Sequence, residues 1–169
     1  MKVPVYHMEA GNRSFDRNVP EETNRKLLDH IADFTLVYTE QARRHLLAEG
    51  IQHRRIYLTG SPMREVLEHY RDRIEASDAL ERLGLEPRRY FIVSLHREEN
   101  VDSSARLSAL VEALGALAER HDMPLVVSTH PRTRKRLEAL GDMGADQRVR
   151  FMKPFGFHDY NRLQMSAFC

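Results

Sequence analysis

The chain has 169 residues, and its 26 basic and 25 acidic side chains leave a net charge of +1. It is long enough to bury a real core, as one domain or parts of two, and its balanced charge excludes bulk attraction to nucleic acid or anionic membrane. No apolar run approaches the roughly 18 residues that span a bilayer, MKVPVYHMEAG does not read as a signal peptide, and the lone Cys169 fits a reducing compartment, so a cytoplasmic location is expected.

The chain alternates strand and helix patterns throughout, which argues a doubly wound parallel sheet. Val3 to Tyr6 reads as a buried parallel strand. A long polar loop follows, and Pro20 opens a helix. Phe34 to Tyr38 is the second strand. Thr39 caps the next helix, which Gly50 ends. Arg55 to Leu58 is the third strand, and Ser61 with Pro62 starts another helix. The stretch Pro62 to Pro87 is charged and holds few large apolar residues, as a connector does. Within it, Ser77 or Asp78 begins a short helix that stops at Gly84. Tyr90 to Leu95 is the fourth strand. Ser103 begins a long amphipathic helix to about His121, with Leu107, Leu110, Val111, Leu114 and Leu117 on one face. Leu125 to Thr129 is the fifth strand, Pro131 opens a helix ending near Gly141, and Val149 to Met152 is the sixth strand. His158 to Phe168 is the last helix.

The segment His7 to Arg25, HMEAGNRSFDRNVPEETNR, carries the strongest functional signal. Connections in α/β units usually run two to six residues, and this one has about a dozen before the helix. Nearly every residue in it can hydrogen bond or ionise. Open α/β sheets keep ligands at the carboxyl ends of their strands. Two residues separate Glu9 from the strand, and Glu21 is in the first turn of the helix, where an acid also suits the helix dipole. Glu22 faces another direction and reads as structural. Arg13 and Arg25 either anchor a substrate carboxylate or phosphate, or pair with Glu9, Asp16 or Glu22. His7 reads as a satisfied loop histidine.

His96 follows the fourth strand beside Arg97, Glu98 and Glu99, which makes it a site candidate. His130 ends the fifth strand at the same end. The basic run after it opposes the helix dipole, so Arg132 is either held by an anion or on a solvated face. The loop Lys153-Pro154-Phe155-Gly156-Phe157 follows the sixth strand, as a ligand contact or as a turn packed on the core. The scattered histidines lack zinc-ligand spacing, and there is no P-loop, no G-x-G-x-x-G and no nucleophile elbow. No metal or other cofactor is expected.

The motifs HMEAGNR, VPEETNR, TGSPM and SLHREENVD, in this order, resemble the non-hydrolysing UDP-N-acetylglucosamine 2-epimerase family. The wording is most similar to the subgroup acting on UDP-N-acetyl-fucosamine-type and diacetamido-uronate sugars. The resemblance implies a GT-B-like α/β fold, in which parts of two Rossmann-like doubly wound domains face a cleft. Residues 1–62 would be the C-terminal part of the first half, 63–87 a helical connector, and 88–169 the N-terminal part of the UDP-binding half. The implied reaction inverts C2 of a UDP-2-acetamido sugar by eliminating UDP to a glycal and re-adding it, for surface polysaccharide precursors. It assigns catalysis to Glu9, Glu21 and His96, with His96 meeting the diphosphate. Substrate binding is expected of Arg13, Arg25, Arg97, His130, Phe155 and Phe157, with the loop of the last two at the uracil.

The partner implied is a UDP-amino sugar, with a homodimer for the full-length protein and neither nucleic acid nor membrane. The resemblance also implies a fragment lacking both ends, inactive alone. Many relatives read His-Arg-Arg-Glu where this chain reads His96-Arg97-Glu98-Glu99, which removes the second arginine an allosteric site would use. The other readings are a hydrolysing 2-epimerase, a GT-B glycosyltransferase, against which the acid pair argues, and a non-catalytic nucleotide-binding remnant.

Overall fold

The computed structural model describes residues 3–16, 18–95, 103–139 and 146–169. They form two compact units, Met1–Glu68 and His69–Cys169. In the first unit, β1 (Tyr6–Met8), α1 (Pro20–Ile31), β2 (Phe34–Val37), α2 (Glu40–Ala48) and β3 (Ile56–Leu58) follow one another. The strands pair in parallel in the order β1-β2-β3, with Tyr6 opposite Phe34 and Thr35 opposite Ile56. Two features predicted for α2 are present. Thr39 accepts a hydrogen bond from the Ala42 amide at 3.1 Å, and Gly50 follows the helix at φ 86°. The apolar core is small: Val37 and Ile56 from the sheet pack with Ala42, Leu46 and Ile51, and Ala10 joins them from the loop after β1.

β1 departs from expectation in place and burial. The strand predicted over Val3 to Tyr6 lies at Tyr6–Met8, and Val3, Val5, Tyr6 and Met8 are all exposed. Pro4 has no N–H to give a ladder. The Val5 amide donates instead to the Asp33 carboxylate, and pairing begins at Tyr6, whose ring stacks on Phe34 at 4.7 Å. α1 also inverts the usual pattern of an amphipathic helix. Its buried residues are Glu22 and Asp29, while Leu27, Leu28 and Ile31 are exposed. Carboxylates, not aliphatics, fasten this helix to its unit.

The second unit contains α3's last residue (α3, Met63–His69), α4 (Arg71–Glu75), α5 (Ala79–Leu83), β4 (Phe91–Leu95), α6 (Ser104–His121), β5 (Leu125–Thr129), α7 (Pro131–Ala139), β6 (Val149–Met152) and α8 (Phe157–Ser166). The sheet is parallel in the order β4-β5-β6. Side chains alternate along a strand, and β5 uses both faces. Leu125 and Val127 pack with Leu114 and Ala118 of α6, whereas Val126 packs with Leu80 of α5 and Leu163 of α8. Ser103 caps α6 as its sequence predicts. Gly84 ends α5 at φ 59°. Ile74, Leu80 and Leu85, from the charged stretch before β4, are buried, the last two in this core. The chain end runs beside β4, with the Phe168 amide donating to Tyr90 O and the Ile92 amide to Cys169 O.

Candidate functional site

The loop from β1 to α1 turns sharply at its start. Glu9 adopts φ 61°, Gly11 φ 77° and Phe15 φ 58°. The left-handed region is costly for any residue with a Cβ and is uncommon outside glycine, so Glu9 is held there by its surroundings. Gly11 is needed for two reasons. A Cβ would sit 2.3 Å from the Ala42 carbonyl oxygen, and the φ is itself left-handed. The Ala10 amide donates to Leu36 O at 3.1 Å and so extends the sheet pairing past β1. His45 of α2 places Nδ1 3.0 Å from Gly11 O and packs its ring edge-on against Phe15.

Beneath this turn lies a buried ionic network. Asp29 has zero exposure. Its Oδ1 meets His7 Nδ1 at 2.7 Å, and its Oδ2 accepts from the Gly11 amide at 3.2 Å and from Arg13 Nη2 at 2.8 Å. Arg13 also donates Nε and Nη2 to the two oxygens of Glu49, at 2.7 and 2.6 Å. The bonds from Glu49, with help from Asp29, hold the Arg13 proton more tightly than usual despite burial. Arg13 in turn holds the Glu49 carboxyl below its ordinary range. Glu22 is buried and accepts from the Ser14 amide at 2.8 Å and from Ser14 Oγ at 3.1 Å, with Lys26 Nζ at 3.3 Å. The Ser14 amide bond is the main reason its carboxyl also lies below the ordinary range.

The expected site residues therefore separate. Glu9 is exposed and accepts from Asn12 Nδ2 at 2.9 Å. Glu21 is exposed in the first turn of α1. Among the described residues neither carboxylate forms an ion pair. Arg25 is half-buried on α1. Arg13 differs from the expectation of a ligand-facing cation. Its side chain is fully buried, because Asp29 and Glu49 close on it, and neither was among the partners foreseen for it. Asp29 and Glu49 are the residues that sequence reasoning missed. A signal existed: an acid at the end of a helix opposes the dipole, and Glu49 sits at the C-cap of α2.

In the second unit, His130 follows β5 and is exposed. Phe155 and Phe157 follow β6, the strand next to β5 in the parallel sheet, so these positions share the carboxyl edge. Phe155 packs against the core around Leu80 and Leu163. Phe157 is exposed, with Tyr70 and His158 rings both 5.7 Å away. His96 and Arg97 lie outside the described residues. Leu95, the residue before them, pairs with Thr129, the residue before His130. Among the described residues no group of acids, histidines or cysteines is arranged to hold a metal, and no helix is long and apolar enough to cross a membrane.

Comparison with known proteins places this geometry. The UDP-N-acetylglucosamine 2-epimerase family model matches residues 1–169. The UDP-2,3-diacetamido-2,3-dideoxy-D-glucuronate 2-epimerase of Pseudomonas aeruginosa is 37% identical over 144 residues, which is 83% of this chain and 39% of that protein. The structure of UDP-N-acetylglucosamine 2-epimerase from Rickettsia bellii superimposes with a TM-score of 0.87 at 45% identity, covering 98% of this chain and 44% of that one. The Methanocaldococcus jannaschii UDP-GlcNAc 2-epimerase, solved in complex with UDP-GlcNAc and UDP, superimposes with a TM-score of 0.86 at 34% identity, covering 97% and 46%. The chain thus spans less than half the length of each of these relatives. The fold is α/β and GT-B-like, as its motifs imply. With the family model matched from the first residue to the last, the chain belongs to the UDP-N-acetylglucosamine 2-epimerase family.

Proposed function

We propose that this chain carries catalytic machinery of an isomerase that inverts C2 of a UDP-2-acetamido sugar, in the supply of surface polysaccharide precursors. The observation that carries the reading is the family match over all 169 residues. The C2 proton has no adjacent carbonyl, so simple enolisation is closed. One carboxylate removes that proton as the C1–O bond to UDP breaks, which leaves a glycal and free UDP. UDP then re-adds at C1 while the other carboxylate delivers a proton to the opposite face of C2. Glu9 and Glu21 take these roles, and their exposure without an ion pair among the described residues supports it. His96 meets the diphosphate. Arg25, Arg97, His130, Phe155 and Phe157 bind the nucleotide sugar, while the enclosed Arg13 acts by holding the loop. On this reading residues 1–62 belong to the first Rossmann-like half, 63–87 connect, 88–169 begin the UDP-binding half, and the whole protein is a homodimer.

The test is a segment swap in which residues 1–169 replace the matching stretch of the Rickettsia bellii enzyme. With UDP-N-acetylglucosamine in deuterated water, the swapped enzyme places deuterium at C2 and keeps UDP on the sugar. Glu9→Gln or Glu21→Gln abolishes the exchange. Release of UDP with free sugar identifies a hydrolysing enzyme instead, and exchange that survives both substitutions overturns the acid pair. The 169 residues alone are expected to give no exchange, since positioning and leaving-group stabilisation act together.

A further inference from the structure

We propose that Asp29 is a positioning residue for Glu9: it touches no substrate, yet it fixes where the Glu9 carboxylate stands. The inference rests on the reading of Glu9 as a proton-transfer group. Asp29 grips the chain on both sides of Glu9. Its Oδ1 binds His7, two residues before, and its Oδ2 binds the amide of Gly11, two residues after. Glu9 between them is at φ 61°. The clamp extends to Arg13, two residues further, which Asp29 meets with zero exposure on either side chain. The far face of the turn is closed as well, by His45 on Gly11 O and by the close approach of Gly11 to Ala42.

The carboxylate form matters here. The two partners at Oδ2, the Gly11 N–H and the Arg13 guanidinium, are both donors. An amide in place of the carboxylate either turns its NH2 on these donors or turns it on His7, where a bond needs the imidazole to accept at Nδ1; in both cases the charge that holds Arg13 is gone and the grip on the turn is weakened. Glu49 provides an internal control. It binds the same Arg13 with two hydrogen bonds but makes none to His7, Glu9 or Gly11. Loss of Glu49 weakens the buried network without releasing the turn.

The experiment compares Asp29→Asn, Glu49→Gln and Glu9→Gln in the segment-swapped enzyme, with kcat and KM read from deuterium incorporation. Amide exchange at Gly11 is measured in the 169-residue chain. Displacing a reacting group by about 1 Å costs on the order of 100-fold. Asp29→Asn is expected to lower kcat about tenfold or more with little change in KM, and to speed Gly11 exchange. Glu49→Gln is expected to lower the melting temperature while kcat stays within about threefold. Equal kcat losses for the two variants, or an unchanged kcat for Asp29→Asn, overturn the proposal. Exchange that survives Glu9→Gln overturns the reading of Glu9 itself, whatever Asp29→Asn does. If Asp29→Asn does not fold, His7→Ala carries the test, since it removes the grip before Glu9 and keeps the Asp29–Arg13 pair. A fall in kcat without a fall in melting temperature then supports the proposal, and an unchanged kcat rejects it.

Discussion

Arg13 and Asp29 meet at 2.8 Å with both side chains wholly removed from solvent. Such a pair contributes little net stability when formed, but breaking it strands a charge. Replacing Arg13 by Met leaves Asp29, among the described residues, with His7 and the Gly11 amide as partners, so the first unit is expected to lose about 3–5 kcal/mol. Amide exchange of β2 residues against urea measures this for the unit separately. A loss below about 1 kcal/mol would show that water or rearrangement compensates the stranded carboxylate.

The same network sets an acid dependence. The carboxyls of Glu49 and Glu22 are both held below their ordinary value of 4.5, by Arg13 and by Ser14 respectively. A depressed folded-state pKa contributes stability above the unfolded value, and that stability is lost as pH falls through the folded one. The first unit should therefore weaken below about pH 4.5 and keep this contribution at neutral pH. Glu49→Gln should flatten part of the slope. A slope identical to that of the parent chain would mean that Glu49 does not carry it.

Gly11 and Gly50 separate steric cost from conformational cost. Both have left-handed φ, but a Cβ at Gly50 meets open space, whereas one at Gly11 strikes the Ala42 backbone. Gly50→Ala is expected to cost about 1 kcal/mol, the left-handed penalty alone. Gly11→Ala should cost well above that and shift the loop. Equal costs in thermal melts would show that α2 gives way at no expense.

The sequence made local chemistry legible and left distant pairing hidden. Thr39, Ser103, Pro20 and Gly84 mark their helices because capping depends on neighbours within a turn. β5 stands where its continuous apolar run predicts a buried strand, and β6 stands at its predicted place although Arg150 interrupts its apolar residues. β1 begins later than its apolar run suggests because Pro4, though apolar, has no N–H to give a ladder. Glu9 and Glu21 stand out through their motifs. The residues around Arg13 allow either a ligand or a nearby acid as its partner, whereas Asp29 and Glu49 are 16 and 36 positions away, too far for local pattern to pair them with it.

Tyr90 offers a test in the second unit. It is fully buried, and its hydroxyl donates to Leu163 O at 2.5 Å. Burial pushes its pKa up to about 12, so it stays a neutral donor through the physiological range. Tyr90→Phe keeps the ring packed and deletes one buried hydrogen bond, for an expected loss of about 1–2 kcal/mol. Amide exchange of β5 reads it, and no loss would show that the α8 carbonyl is satisfied without the phenol.

Glu9 should be a residue whose replacement stabilises the protein. Its φ of 61° puts a residue with a long side chain in a region that asparagine tolerates far better. Among the described residues its side chain bonds only to Asn12, and that bond is exposed and contributes little. Strain of this kind persists where the surroundings impose it, and it gathers at functional sites. Glu9→Asn is therefore expected to raise the stability of the first unit by about 0.5–1 kcal/mol, seen as slower amide exchange in β2. In the segment-swapped enzyme the same substitution shortens the carboxyl arm, removes its charge and abolishes deuterium incorporation at C2. The two effects together would identify a side chain retained for chemistry at the expense of stability. A variant that is less stable than the parent would show that Glu9 serves the fold, and a variant that still exchanges would remove it from the reaction.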